Sequence, residues 1–266
     1  MSSNRDARAT TGRRLRIAAL AVLTAAALAG CAARDRMTTG SVGGGATSGR
    51  ELSAGADALG RAYAKNPKDI GTAMRYAEGL QMSGRADQSL AVMRKLAIDY
   101  PKERQVLAGY GKALAAAGEL EPALDAVRRA QTPEYPDWKL VSAEAAILDQ
   151  LGRQDEARRL YARALEMKPG EASILSNLGM SHLLGGDLKQ AETYLRQASQ
   201  AQGADSRVRQ NLALVVGLQG RFSEAEEIAS REMKPEQAQA NVAYLRSMLA
   251  QQNTWNQLRE EERNTN

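Results

Sequence analysis

Small and large apolar residues keep a fixed register along residues 70–239. The large ones, Leu80, Leu114, Leu148 and Val216, each precede a glycine by four positions, and His182 takes that place once. The glycines, Gly84, Gly118, Gly152, Gly186 and Gly220, recur at intervals of 34 residues. Seven residues before each stands a small residue: Ala77, Gly111, Ala145, Gly179 and Ala213. Five residues after each stands another: Ser89, Ala123, Ala157, Ala191 and Ala225. Twelve residues after, Ala130, Ala164 and Ala198 keep the pattern, whereas Leu96 and Glu232 depart from it. Such a pattern predicts two antiparallel helices per unit, since close approach needs small side chains and larger apolar groups fill the gaps beside them. Each glycine is expected in the turn, where a left-handed backbone ends the first helix without a Cβ penalty. Pro67, Pro101 and Pro169 are expected to stop the second helices.

These anchors predict complete units over 70–103, 104–137, 138–171, 172–205 and 206–239. Residues 51–69 read as the second helix of a leading half-unit. From about Glu236 to Arg263, Val242, Leu245, Leu249 and Leu258 on a polar background predict a terminal helix that covers the last apolar face. An irregular or lengthened turn is expected where Pro133 and Pro136 precede Trp138, and the last unit is off pattern at Glu232 and Gln237. The 34-residue period and its columns resemble the tetratricopeptide repeat (TPR) family. That resemblance implies an all-α helix-turn-helix solenoid at 51–239, with about five full repeats, a leading half-repeat, and a C-terminal capping helix and tail at 240–266. It also turns the functional question from catalysis to partner binding, because stacked repeats present an extended concave surface.

The first thirty residues read differently. Arg5, Arg8, Arg13, Arg14 and Arg16 precede a small-and-apolar run from Ile17 to Ala29. A basic segment followed by about 13 such residues predicts a signal peptide over 1–30, too short for a spanning helix. The run ends in Leu28-Ala29-Gly30-Cys31, which resembles the bacterial lipobox. The resemblance implies cleavage before Cys31, a thioether-linked diacylglycerol on its sulfur and an acylated new amino terminus. Cys31 is the one cysteine of the chain. Each buried methylene of such an anchor adds about 0.8 kcal/mol of membrane affinity. Arg13-Arg14 matches the twin-arginine export signal weakly, so ordinary secretion is expected. No Asp follows Cys31, which under enterobacteria-like sorting favours a periplasm-facing outer-membrane protein of a Gram-negative cell. Residues 31–50, rich in Gly, Ser, Thr and Ala, read as the acylated cysteine and a flexible tether with a root-mean-square reach of about 24 Å.

Charge and chemistry narrow the picture further. The chain carries 36 basic and 31 acidic side chains, but five Arg and one Asp lie in residues 1–30, which leaves 31 and 30 in the remainder. A near-neutral body with few aromatic residues does not predict nucleic-acid binding. His182, the one histidine, falls in a helix-packing column, and no His or Cys cluster has metal-ligand spacing. Gly109-Tyr110-Gly111-Lys112 lacks the earlier glycine and the following Ser or Thr of a phosphate loop. Glu226-Glu227 and Glu260-Glu261-Glu262 read as solvated helix faces. No catalytic, cofactor or metal residues are expected, no small-molecule substrate, and no enzyme.

In TPR proteins the first helix of each unit lines the concave face. Carried onto these columns, the resemblance implies a partner groove that includes Met74, Glu78 and Lys112 in the early units. In the later units it includes Asn177, Met180, Leu183, Gln210, Asn211 and Leu214. Leu184 and Leu218 stand either on that face or in the packing between units. Methionine suits a surface that adapts to a partner, and an amphipathic helix or extended peptide is the expected occupant. Asn177 and Asn211 match one column of TPR clamps for terminal carboxylates, and Lys139 and Arg207 another, without the full set.

The lipobox, the Gly/Thr-rich tether and about five repeats together resemble the TadD lipoproteins of the tight-adherence (Flp pilus) secretion system. The stretch from Asn211 to Glu226 (NLALVVGLQGRFSEAE) is especially similar. The resemblance implies a lipid-anchored assembly factor that helps a machine component such as the secretin channel to localise or multimerise. The alternatives are a TPR lipoprotein adaptor for outer-membrane protein assembly or peptidoglycan enzymes and, more remotely, an enzyme with an unrecognised site.

Overall fold

The structure, a computed structural model, describes residues 45–132, 134 and 136–265. The expected signal peptide, Cys31 and the tether as far as Gly44 lie outside the described residues. Among those described there are twelve helices. After α1 (Gly45–Lys65) come five hairpins: α2 (Ile70–Met82) with α3 (Ala86–Asp99), α4 (Arg104–Ala116) with α5 (Leu120–Ala130), α6 (Trp138–Gln150) with α7 (Gln154–Met167), α8 (Ala172–Leu184) with α9 (Leu188–Gln200), and α10 (Ser206–Leu218) with α11 (Phe222–Ser230). A long helix, α12 (Pro235–Thr265), closes the chain. The first helices begin at 70, 104, 138, 172 and 206, the starts that the 34-residue period predicts. The fold is all-α and built of the hairpins of a TPR solenoid. The helices group into two compact units, one ending at Leu160 and one beginning at Tyr161.

The five hairpin turns are copies of one another. Every turn glycine has a φ between 76 and 83°, in the left-handed region. The N–H after it reaches the carbonyl five residues back, as Arg85 N reaches Leu80 O at 2.8 Å and Asp187 N reaches His182 O at 2.9 Å. The glycine N–H bonds three residues back, as Gly186 N does to Leu183 O at 2.9 Å. This is the Schellman arrangement, which satisfies carbonyls that a helix end leaves over. A Cβ on Gly118 would meet nothing within 4 Å, so the backbone angle alone excludes other residues there. Gly118→Ala is therefore expected to cost about 1 kcal/mol, read as a lower urea midpoint with unchanged slope. At the other helix end, the N-cap carboxylate of Asp69 accepts from Thr72 N at 2.7 Å, and that of Asp205 from Val208 N at 3.1 Å.

The small-residue columns meet face to face. A Cβ on Gly111 would stand 3.2 Å from Ala123 O, and one on Gly179 would stand 3.1 Å from Ala191 O. In the first hairpin Ser89 Oγ donates to Ala77 O at 2.7 Å, linking the same two columns. Alanine at the third column joins one hairpin to the next. Ala130 packs with Leu107 and Leu140, so α4, α5 and α6 meet at it, and Ala198 packs with Leu175 and Val208 in the same way. The last hairpin carries Glu232 in this column and diverges there. Helix α11 ends at Ser230, after nine residues, and α12 begins at Pro235, one residue before Glu236, near which the terminal helix is expected to start. Proline suits a first helical turn, which has no use for its missing N–H. Helix α12 caps the unit as expected, with Ala238, Val242 and Leu245 buried and Leu245 Cδ2 2.6 Å from where a Cβ on Gly217 would be.

At the other end of the described chain, α1 starts at Gly45, inside the stretch expected as tether. Ala46 and Ser48 do not break a helix, and Ala56 further along is buried. The connection 131–137 is longer than the three-residue hairpin turns, as its prolines predict. It is pinned by Glu144, which accepts from Arg128 Nε and Gln131 Nε2, both at 2.7 Å.

Ion pairs tie three of the turns to the helix that precedes their hairpin. Arg85 pairs with Asp57 at 2.8 Å, Glu119 with Arg94 at 3.0 Å, and Arg221 with Glu192. The sign at the position after the turn glycine thus reverses between Arg85, Glu119 and Arg221.

Candidate protein-interaction face

In the unit ending at Leu160, the expected lining residues separate. Glu78 on α2 and Lys112 on α4 are exposed, with their side chains in solvent. Met74 is half-buried, and its Cε lies 3.4 Å from where a Cβ on Gly109 would stand, beside Met93 Cε. Met93 and Met74 together fill the space that the missing side chain of Gly109 leaves. Lys139 Nζ lies over the ring of Trp138 at 5.6 Å. This open face is polar and charged.

In the unit beginning at Tyr161, the lining comes from α8 and α10. Asn211 Nδ2 donates to Ser176 Oγ at 3.3 Å, which sets the middle of α10 beside the middle of α8. One turn further along each helix stand Met180 and Leu214, both half-buried, followed by Leu184 and Leu218, also half-buried. Asn177 is half-buried and Gln210 exposed, with Gln210 Nε2 donating to Ser206 Oγ at 3.0 Å. Leu183, expected on the open face, is fully buried and belongs to the helix packing. The helical turn explains the correction: one residue moves a side chain about 100° around the axis, so Leu183 and Leu184 face different ways. His182 is half-buried and stacks on Tyr194, with centroids 5.3 Å apart and planes 18° apart, in the packing role its column predicts.

Sequence reasoning missed the strongest electrostatic cluster. Glu192 on α9 accepts from Arg196, from Gln219 Nε2 at 2.8 Å, and from Arg221, while Glu224 bonds both Arg196 and Arg221. The hydrogen bond from Arg221, followed by those from Gln219 and Arg196, outweighs partial burial and holds the Glu192 carboxyl down at about 2. Arg209 on α10 pairs with Glu232, the residue that broke the alanine column. Among the described residues no group of His, Cys, Asp and Glu is placed to hold a metal ion. Nor is any described helix long and apolar enough to cross a membrane.

Residues 150–215 match the tetratricopeptide repeat family. The matched stretch runs from the end of α6 to the last turn of α10. Among solved structures, the thermophilic TPR protein TTC0263 of Thermus thermophilus is similar at 21% identity and a TM-score of 0.57, over 66% of this chain and 97% of that one. PilW, described as a widely conserved type IV pilus biogenesis factor, is similar at 18% identity and a TM-score of 0.58, over 76% and 93%. The Cut9–Hcn1 assembly of the APC/C gives 13% identity and a TM-score of 0.58, over 76% of this chain and 40% of that one. At these identities the likeness is one of fold. No curated protein matches the sequence.

Proposed function

We propose that the protein is a lipid-anchored TPR scaffold for assembly of the Flp (tight-adherence) pilus, binding a segment of a machine component such as the secretin. The observation that carries the scaffold reading is the half-buried apolar pair Met180 and Leu214 on adjacent first helices, with Leu184 and Leu218 one turn on. These side chains still have surface to bury, so a partner laid along them gains hydrophobic contact. The pilus reading is supported by the resemblance of the leader, tether and repeats to TadD lipoproteins, and PilW, described as a pilus biogenesis factor, is similar in fold. The anchor at Cys31 would hold the repeats at the periplasmic face of the outer membrane, leaving the groove to capture its partner nearby.

Tagged protein cross-linked in intact cells is expected to recover a secretin or another pilus component. Introducing Met180→Glu and Leu214→Glu together is expected to abolish that recovery, while circular dichroism stays unchanged because neither side chain is fully buried. Recovery of barrel-assembly or peptidoglycan proteins instead would discard the pilus. Cys31→Ser is expected to leave the repeats folded and release the protein from the membrane fraction. Continued membrane fractionation with normal maturation would discard the anchor.

A further inference from the structure

The open face of α8 and α10 differs from that of the first unit in one respect, its charge. Helix α8 (ASILSNLGMSHLL) contains no acidic residue, Lys or Arg. Helix α10 contains two, Arg207 and Arg209, both in its first four residues. Each is matched by an anion at the same end of the helix. Arg207 Nη2 lies 2.8 Å from the N-cap carboxylate of Asp205, and Arg209 pairs with Glu232 while its Nη1 donates to Ala204 O at 3.2 Å. The four charges cancel. Beyond that first turn, the side chains of the two helices that keep exposed surface are Met180, Leu184, Leu214 and Leu218 together with the uncharged amides Asn177, Gln210 and Asn211 and the stacked His182. Asn211, whose amide would serve a carboxylate clamp, commits one of its two N–H groups to Ser176.

We infer that this face takes an internal, uncharged, apolar segment of the partner protein, and not a free C-terminal carboxylate. This rests on the scaffold reading above and specifies its ligand. A carboxylate laid on α8 and α10 would lose its water and gain no cation that is not already neutralised. Drawing Arg207 away from Asp205 would leave the Asp205 carboxylate facing the incoming one. An apolar segment has no such cost. Methionine and leucine side chains one helical turn apart, on two neighbouring helices, offer it four contact points on a surface that adapts.

The test uses the full-length chain in cells with p-benzoylphenylalanine in place of Met180 or Leu214, ultraviolet cross-linking, and mass-spectrometric mapping of the joined peptide. The same photoprobe at Gln197, exposed on α9, serves as the control. The expected adduct from 180 and 214 lies inside the partner sequence, carries at least two large apolar side chains, and is absent from 197. Its yield in isolated envelopes is expected to change less than about twofold in roughly 0.5 M NaCl, because no ion pair contributes. An adduct at the partner's last residues, a fall of about tenfold in salt, equal labelling from 197, or no adduct at 180 and 214 would each overturn the inference. An internal apolar adduct in a protein outside the pilus machine would keep the inference and remove the pilus. A pilus component joined through its C-terminus would do the reverse.

Discussion

Gly179→Val is expected to lower the stability of the unit beginning at Tyr161 by about 3 kcal/mol, the cost of overpacking where nothing can yield. The glycine sits on α8 where it packs against α9. A Cβ there would stand 2.8 Å from Leu195 Cγ and 3.1 Å from Ala191 O. Leu195 and Ala191 are both fully buried, so the leucine has no open space to swing into. The carbonyl belongs to the backbone of α9, and the whole helix would have to retreat. The alanine variant separates the terms. Gly179→Ala gains about 1 kcal/mol of helix propensity and meets the same two atoms, so its net loss is expected to be smaller than that of valine. Urea unfolding followed by circular dichroism measures both. A valine variant with the parent's midpoint would mean that α8 and α9 do not approach this closely. The comparison with Gly118→Ala is useful because the causes differ: backbone angle at 118, a filled space at 179.

A second large effect is expected in acid. Held at about 2 by its hydrogen bonds, first of all that from Arg221, the Glu192 carboxyl has a folded pKa below the ordinary value of 4.5. A lowered carboxylate pKa stabilises the folded chain above about pH 4.5, and that stabilisation is lost as pH falls from about 4.5 towards about 2. The shift corresponds to about 3 kcal/mol at neutral pH. Replacing Glu192 by Gln removes the charge and keeps the shape, leaving Arg196 and Arg221 to share Glu224. At pH 7 the variant is expected to be less stable by about 2–3 kcal/mol, counting the lost pair against its partial exposure. The gap between the two proteins should close as pH falls through about 4.5 and nearly vanish by about pH 2. A gap that persisted unchanged at about pH 3 would assign the loss to packing, not charge.

The difference between these two sites also explains what could be read from the sequence. Gly179 was legible because its column repeats: the chain states five times that the place facing Ala191 and its counterparts must be small. The hairpin boundaries were legible for the same reason, since every turn needs the left-handed angle that glycine supplies. Glu192 was not legible, because its partners Gln219 and Arg221 come from the turn of the next hairpin and meet it only in space. Leu183 was misplaced because column transfer fixes a position along the helix more firmly than around it. The early end of α11 was missed because the register of the last unit was carried on to 239, past Glu232, where a charged side chain stands in the alanine column and the pattern ends. The start of α1 at Gly45 escaped because glycine, serine and threonine suggest an extended tether, and local composition cannot see that a buried Ala56 ahead draws the chain into a helix. Asn211 was found as a candidate ligand group, yet its bond to Ser176 depends on two helices 35 residues apart in sequence and shows only in space.

A chain made of near-copies faces a sorting problem while it folds. Any first helix has the small residues to fit any second helix, and misassembly of this kind is a characteristic failure of repeat proteins. The reversal of sign between Arg85, Glu119 and Arg221 works as a partial address. Glu119 is received by Arg94, whereas an arginine arriving there from another copy, Arg85 or Arg221, would be turned away. The exposed pairs at Asp57 and Arg94 add little strength. What such a pair supplies is order: at Arg94 a hairpin with arginine after its glycine would collide in charge before it could settle, so neighbouring look-alikes of opposite sign are told apart, while Arg85 and Arg221 share one sign.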